Sequence, residues 1–112
     1  MLSQKYRLAK KNDFKQVFQK GKRDKSRFFA INFLANNSEN SRFAVVTSLR
    51  VSKSAVKRNR VKRQIREILG LILPKFKQNN DIIINLYSSA VEAEFKDLQS
   101  SILAIFSKNN LI

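Results

Sequence analysis

The chain has 112 residues with a formal net charge of +15, 43% apolar residues and no cysteine or histidine. The length predicts a single domain over residues 1–112, and the apolar content excludes a disordered basic tail. Without cysteine there can be no disulfide framework or thiolate zinc site, and no segment is apolar enough for a signal peptide or a membrane span, so that we expect a cytoplasmic protein.

The N-terminal region predicts a basic lead-in over residues 1–11, followed by a short helix. Asn12 is a plausible N-cap, and Gly21 can end the helix. Between them the apolar residues Phe14, Val17 and Phe18 recur at helical spacing. Further basic residues continue to Arg27.

Residues 28–35 are rich in aromatic and β-branched side chains and are too short for a typical helix, which predicts a strand. One face of that strand carries Phe29, Ile31 and Phe33, and the other carries Phe28, Ala30, Asn32 and Leu34. Residues 36–41 have turn composition, so that residues 42–48 are predicted to form the second strand of a hairpin. A third short strand at residues 49–51 is either separate or continuous with the second.

The stretch from Arg50 to Glu67 is the most distinctive of the chain, because eight of its first seventeen residues are Lys or Arg. Ser52 or Ser54 can cap a helix that runs to about Gly70 or a turn beyond and must stop near Pro74. One face of this helix is an apolar stripe made of Val61, Ile65, Ile68, Leu69 and Ile72. The opposite arc carries Asn59, Arg60, Lys62, Arg63 and Arg66.

The basic arc predicts a polyanionic partner. Residues 1–27 and residues 50–66 each carry a net charge of +8, and the second block contains no acid that could neutralise it. Arginine matches the geometry of phosphate oxygens, which favours nucleic acid. The alternatives are a solvated helix face and an anionic membrane surface.

The C-terminal part predicts a loop over residues 75–80, a buried strand over residues 81–87 and a last helix capped by Ser88 or Ser89. Val91, Phe95, Leu98, Ile102, Ile105 and Phe106 keep helical spacing in that helix. The element order is therefore α-β-β-β-α-β-α, an α+β sandwich with helices packed on a mixed sheet.

The residues that usually carry out hydrolysis are scarce. No histidine can act as general base, and the acids number eight, of which Glu92, Glu94 and Asp97 are predicted to face solvent on the last helix. Gly21 and Gly70 are the only glycines in the sequence, which excludes a glycine-rich phosphate loop. We therefore predict a binding protein without catalytic residues, metal site or small-molecule substrate of its own.

Residues 57–67, KRNRVKRQIRE, resemble the signature helix of the bacterial ribonuclease P protein component, with Arg58, Asn59 and Arg60 as its R-N-R triplet. Residues 7–23, RLAKKNDFKQVFQKGKR, are similar to the opening of the same family, R-L-x-K-x-x-D-F-x-x-V-F-x-x-G. The order of strands around the basic helix also follows the family.

The resemblance implies a two-layer α/β sandwich with a left-handed crossover around the basic helix, as in the second domain of some ribosomal proteins. It also implies an accessory subunit of a ribonucleoprotein endonuclease, monomeric when free. In that family the catalytic RNA, with magnesium, removes the 5′ leader of precursor tRNA, and the protein binds both the catalytic RNA and the leader. The protein itself holds no cofactor.

The resemblance assigns candidate residues to each RNA. Those for the catalytic RNA are Arg50, Lys53, Lys57, Arg58, Asn59, Arg60, Lys62, Arg63 and Arg66. Those for the leader are Arg7, Lys11, Phe14, Phe18, Phe29 and Ile31. Aromatic side chains along a basic groove suit a single strand, although Phe14 and Phe18 could instead anchor the first helix to the core.

The chain departs from the family at two points. Leu49 and Arg50 stand where the family tends to have a Lys pair, and Asn32 stands where it often has Tyr, which weakens one phosphate contact and removes one stacking surface. A ribosomal type of RNA-binding protein is the main alternative function. A DNA-binding or membrane-surface protein is disfavoured, because no helix precedes the basic helix at helix-turn-helix spacing.

Overall fold

The computed structural model describes residues 3–112, which form three α-helices and four β-strands. They are α1 (Lys11–Lys20), β1 (Lys22–Lys25), β2 (Phe29–Ala35), β3 (Arg42–Val46), α2 (Ala55–Ile72), β4 (Asn80–Leu86) and α3 (Phe95–Lys108). Short 3-10 turns cover Gln4–Tyr6, Leu73–Lys75 and Ser88–Ala90. The predicted order of elements is confirmed. The first two residues of the predicted basic lead-in lie outside the described range.

The strands form one mixed sheet in the order β1-β2-β4-β3. β4 pairs antiparallel with β2 and parallel with β3, so that the predicted hairpin between residues 28–35 and 42–48 is wrong. β4 takes the central place because it is apolar on both faces, with Ile82 and Ile84 toward one and Ile83 toward the other. The handedness of the connection from β3 through α2 to β4 stays a prediction.

Strand β1 is the element that the sequence did not reveal. It pairs antiparallel with β2 at the edge of the sheet. Its four residues, KRDK, are all charged, so that neither β-propensity nor alternation marks it, although charged side chains are typical of edge strands. The strand predicted at residues 49–51 is wrong, because Val51 N–H donates to the Ser48 carbonyl at 2.9 Å in a turn.

Both faces of the sheet carry helices. The main core lies between one face and helices α2 and α3, and includes Phe29, Ile31 and Ile84 from the sheet. This part is the predicted α/β sandwich. Helix α1 packs on the opposite face, where Leu8, Val17, Ala44 and Ile83 form a smaller cluster.

Helix α1 crosses the strands instead of following one of them. In its first turn Asp13 pairs with Arg42 at the start of β3, and at its end Gly21 lies against the Phe33 carbonyl of β2. The helix therefore covers one end of the sheet. The rest of this sheet face lies beside the helix, and we call the surface between α1 and the exposed end of this face the groove.

The predicted helix ends are correct in part. Ser54 caps α2, since its Oγ accepts a hydrogen bond from Lys57 N–H at 3.2 Å, and Pro74 lies in the turn that follows the helix. Helix α1 begins one residue before the predicted cap, Asn12. The prediction that Ser88 or Ser89 caps the last helix is wrong: these residues form a 3-10 turn, and α3 begins only at Phe95. A short turn followed by a helix preserves the same apolar spacing.

The two glycines provide a matched test of this packing. A Cβ on Gly21 would lie 2.4 Å from the Val17 carbonyl oxygen and 2.6 Å from that of Phe33, whereas a Cβ on Gly70 meets nothing within 4 Å. We expect Gly21→Ala to lower the free energy of unfolding by about 1–3 kcal/mol through overpacking. Gly70→Ala, inside α2, should raise it by about 0.5–1 kcal/mol. Urea unfolding of both variants measures this, and equal effects would contradict the close approach at Gly21.

Within residues 3–112, no helix has both the length and the apolar content needed to cross a membrane.

Candidate nucleic-acid interface

Helix α2 is attached to the core by the predicted stripe. Its buried residues are Val61, Ile65, Ile68, Leu69 and Ile72. Each of them is at most 2% exposed, so that the helix cannot rotate without opening the main core. The basic residues on its other sides are therefore held in fixed positions.

The candidate residues on α2 form three rows, which we call the α2 basic face. The row toward the groove has Arg58, Lys62 and Arg66, the outermost row has Asn59 and Arg63, and the row toward α3 has Lys57 and Arg60. The row toward the groove is half-buried, whereas the other four residues are exposed. Arg50 and Lys53 are exposed in the segment that leads into the helix.

Backbone carbonyls, more than carboxylates, orient this face. Arg58 Nη1 donates to the Ser52 carbonyl at 2.7 Å, and Arg60 Nη2 donates to the Val91 carbonyl at 3.0 Å. Lys57 Nζ lies 3.6 Å from a carboxylate oxygen of Glu92, an exposed ion pair that contributes little. These two arginines are thus restrained in position by neutral acceptors, and each uses one of its nitrogen donors for the contact.

Lys62 shows how crowded these cations are. Burial, and then the charges of Arg66 and Arg58 on either side, lower the pKa of Lys62 below its usual value. Lys62 and its neighbours are spaced one helical turn apart, and a phosphate placed against them would relieve their mutual repulsion. The row therefore favours a polyanion over bulk solvent.

The groove begins beside this row. Arg66 borders an open cavity of about 230 Å³ that is also lined by Leu8, Phe14, Ala44 and Val46, with Arg7 at its rim. From Val46 on β3, a cross-strand row continues through Asn85 on β4 and Ala30 on β2 to Lys25 on β1. We take this row as the floor of the groove, with α1 beside it; along the row Asn85 is half-buried and Ala30 is only 1% exposed.

The wall of the groove carries the two aromatic candidates. Phe14 and Phe18 are one helical turn apart on α1 and so point the same way. Phe14 is half-buried against the smaller cluster, whereas Phe18 is 51% exposed. The core-anchor role thus applies in part to Phe14, while Phe18 offers its ring to a ligand. Lys11 is exposed at the start of the same helix.

Two of the predicted leader-binding residues do not reach this surface. Phe29 and Ile31 are both 0% exposed and pack in the main core, on the sheet face that α2 and α3 cover. The alternation of side chains correctly grouped them with Phe33, but it could not say which group faces α1. Ala30, Asn32 and Leu34 form the face beside α1, and the smaller and more polar character of that group is the signal that could have identified it.

Asn32 lies on the groove side of the sheet but is only 6% exposed, and within residues 3–112 its Oδ1 has no hydrogen-bond partner. Leu49, the other departure from the family pattern, is 69% exposed beside Arg50. The predicted effect of these departures, a weaker phosphate contact at Leu49 and a lost stacking surface at Asn32, stays a prediction.

A charged network that the sequence did not reveal fixes α1 on the sheet. The Arg42 guanidinium donates to both oxygens of Asp81, at 2.8 and 2.7 Å, and to Asp13 of α1 at 3.2 Å. Asn36 Nδ2 also donates to Asp81 at 2.7 Å. The hydrogen bond to Asp81 is the main cause that raises the pKa of Arg42. This network positions the aromatic wall of the groove.

The described part of the chain holds no group of three or more His, Cys, Asp or Glu residues that could bind a metal ion. Of the acids predicted to lie on the last helix, Glu92 and Glu94 precede α3, Asp97 lies in its first turn, and all three are exposed. The arrangement supports binding of RNA along α2 and the groove.

Comparisons with known proteins agree with this geometry. The family model described as Ribonuclease P matches residues 2–110. A ribonuclease P protein component from Syntrophomonas wolfei is 32% identical over 111 residues, which cover 99% of this chain and 92% of that protein. The corresponding protein from Alkaliphilus oremlandii is 37% identical over 106 residues, which cover 95% and 92%.

Solved structures show the same fold. The structure of a Staphylococcus aureus RNase P protein mutant with defective mRNA degradation activity matches with a TM-score of 0.88 and 25% identity, and the match covers 96% of this chain and 91% of that one. The RNase P protein from Thermotoga maritima matches with a TM-score of 0.81 at 24% identity, over 91% and 96% of the two chains.

Proposed function

Because this chain belongs to the ribonuclease P protein family, we propose that it binds the catalytic RNA of ribonuclease P and the 5′ leader of precursor tRNA. In this role it assists the endonucleolytic removal of the leader, which gives the mature 5′ end of the tRNA. The RNA subunit, with magnesium, carries out the cleavage, and the protein contributes binding. We propose that it acts in the cytoplasm and is monomeric before assembly.

The observation that carries the proposal is the α2 basic face. Its cations are held on a rigid helix, backbone carbonyls orient the guanidinium groups of Arg58 and Arg60, and the face lies beside a groove with an exposed aromatic ring. A folded RNA offers phosphates at fixed positions, which suits such a helix. We assign to this contact Arg50, Lys53, Lys57, Arg58, Asn59, Arg60, Lys62, Arg63 and Arg66.

The groove is assigned to the leader. Single-stranded RNA binds where bases can stack on aromatic side chains while cations follow the backbone. Phe18 provides the exposed ring and Phe14 continues the same wall. Arg7 lines the cavity that Arg66 borders, and Lys11 is exposed at the start of α1. Phe29 and Ile31 are withdrawn from the leader site because they are buried in the main core.

The direct test is a reconstituted processing assay. The protein is combined with a bacterial ribonuclease P RNA, and leader removal from precursor tRNA is measured at low magnesium with and without it. We expect a clear stimulation, since the protein neutralises phosphates that magnesium would otherwise have to screen. No stimulation, together with binding to ribosomal RNA, would support a structural protein of ribosomal type instead.

Phe18→Ala separates leader binding from folding. Phe18 is 51% exposed, so that stability should change little, whereas the loss of a stacked base should weaken binding of precursor tRNA to the holoenzyme by about 1–3 kcal/mol. Mature tRNA, which has no leader, should bind as before. Equal losses for both tRNAs would mean that Phe18 only supports packing.

A further inference from the structure

We propose that the leader contact extends across the whole sheet to a second cationic position on β1, where Arg23 and Lys25 bind phosphates at the far end of the groove. This inference rests on the proposed function, and it adds residues that neither the basic helix nor the aromatic wall includes. The partner is the part of the single-stranded leader that lies upstream of the segment stacked on α1.

The orientation of β1 supports this assignment. Asp24 points toward α3, since its Oδ2 accepts a hydrogen bond from Asn109 Nδ2 at 2.9 Å and lies 3.3 Å from Lys108 Nζ. Side chains alternate along a strand, so Arg23 and Lys25 point to the opposite face, which is the face of α1 and the groove. The strand thus presents its two cations to the groove and directs its acid away from it.

The register of the sheet places these cations at the end of the groove floor. Lys25 is opposite Ala30, which is opposite Asn85 and then Val46, and Arg23 is opposite Asn32 in the neighbouring row. Val46 shares a cavity with Arg66, so the floor runs from the α2 basic face to β1. Three strand spacings of about 4.8 Å give a length of roughly 14 Å, which a few extended nucleotides can span.

The charges of Arg23 and Lys25 are available for a ligand. Both residues are exposed, and within residues 3–112 neither side chain lies within ion-pair distance of a carboxylate. Asp24, the acid between them, is engaged by Asn109 and Lys108, and the Asn109 hydrogen bond is the main cause that lowers its pKa. Arg23 and Lys25 therefore lie at the end of the groove opposite the α2 basic face, and the aromatic wall runs between the two.

The order of contacts along the leader follows from this arrangement. The α2 end of the groove adjoins the surface assigned to the catalytic RNA, where the leader joins the tRNA. The β1 end is farther from that point, so that it meets nucleotides nearer the 5′ end of the leader. A short leader would stack on α1 without reaching Arg23 and Lys25.

The test uses the reconstituted holoenzyme and precursor tRNAs whose leaders are lengthened one nucleotide at a time. We expect Arg23→Gln/Lys25→Gln to leave mature tRNA and short-leader precursors unaffected and to weaken binding beyond one leader length. For long leaders, the slope of log affinity against log salt should become shallower by about 1.4, since each phosphate contact of a single strand contributes about 0.7. Thermal unfolding confirms that the variant is folded.

The matched control is Lys22→Gln/Lys96→Gln, which removes the same charge. Lys22 lies on the same strand but shares the face of Asp24, which is the face toward α3, and Lys96 is exposed on α3 itself. A loss that is independent of leader length, or that is no larger than that of the control, would overturn the inference. If the wild-type protein itself shows no preference for precursor over mature tRNA, the proposed leader function fails instead, so the two failures are distinguishable.

Discussion

Replacement of Asp81 by alanine is expected to lower the free energy of unfolding by about 3 kcal/mol, because it removes one partner of a largely buried ion pair. The Asp81 side chain is 8% exposed, and its two oxygens accept hydrogen bonds from both Arg42 and Asn36. Without the carboxylate, the guanidinium would remain under α1 with Asp13 as its described acidic partner. Chemical denaturation followed by circular dichroism measures the change.

Asp97→Ala is the control for the loss of an acid, since Asp97 is exposed in the first turn of α3 and its removal should change stability by no more than about 0.5 kcal/mol. Asp13→Asn should fall between the two, because the Asp13 side chain and its partner are each about one quarter exposed. If Asp81→Ala were as mild as Asp97→Ala, water would have to replace the carboxylate, and the network would not hold α1.

The second large effect is expected on assembly with the catalytic RNA. Arg60→Gln/Arg63→Gln removes two cations from the α2 basic face without touching its buried stripe. At about 1.5 kcal/mol for each lost charge-assisted hydrogen bond, affinity should fall by roughly a hundredfold. The slope of log affinity against log salt should become shallower by about 1.4 to 1.8 for the two contacts. Binding of ribonuclease P RNA at several salt concentrations gives both quantities.

Lys75→Gln/Lys96→Gln removes the same charge from exposed positions outside the α2 basic face and the groove, and it should reduce affinity only slightly. An equal reduction by both double variants would show that net charge, and not the geometry of α2, drives assembly. An unchanged salt slope in Arg60→Gln/Arg63→Gln would show that these arginines face bulk water.

Local periodicity explains why α2 could be predicted from the sequence. Its apolar stripe repeats within a single helix, and Val61 through Ile72 are buried as that spacing requires. The cationic rows follow directly from the same geometry. The N-cap could also be predicted, because the Ser54 side chain accepts a hydrogen bond from a backbone N–H only three residues away.

Strand pairing depends on parts of the chain that are distant in sequence, and there the sequence was a poorer guide. The hairpin prediction failed because β4, which follows α2 in the chain, inserts between β2 and β3. Strand β1 carries no apolar signal at all, since its pairing depends on the backbone of β2. The assignment of Phe29 and Ile31 to the leader failed for a related reason, because only the positions of the helices decide which face of β2 is covered.

The network around Arg42 could not be foreseen either. Arg42 and Asp81 are 39 residues apart, and Arg42 and Asp13 are 29 apart, so that no local pattern joins them. Each is an ordinary charged residue in the sequence. Their role emerges only when β3, β4 and α1 meet at one end of the sheet.

The central place of β4 also governs how the molecule can assemble during synthesis. In the folded sheet β2 and β3 are not paired with each other, so a nascent chain exposes the whole cationic helix before Asn80–Leu86 is available to connect them. Long-range strand pairing of this kind is slow, because the chain loses the entropy of loop closure before any stabilising contact forms. A polypeptide that stops short of residue 80 therefore lacks the strand that unites its sheet, although it already carries most of its positive charge.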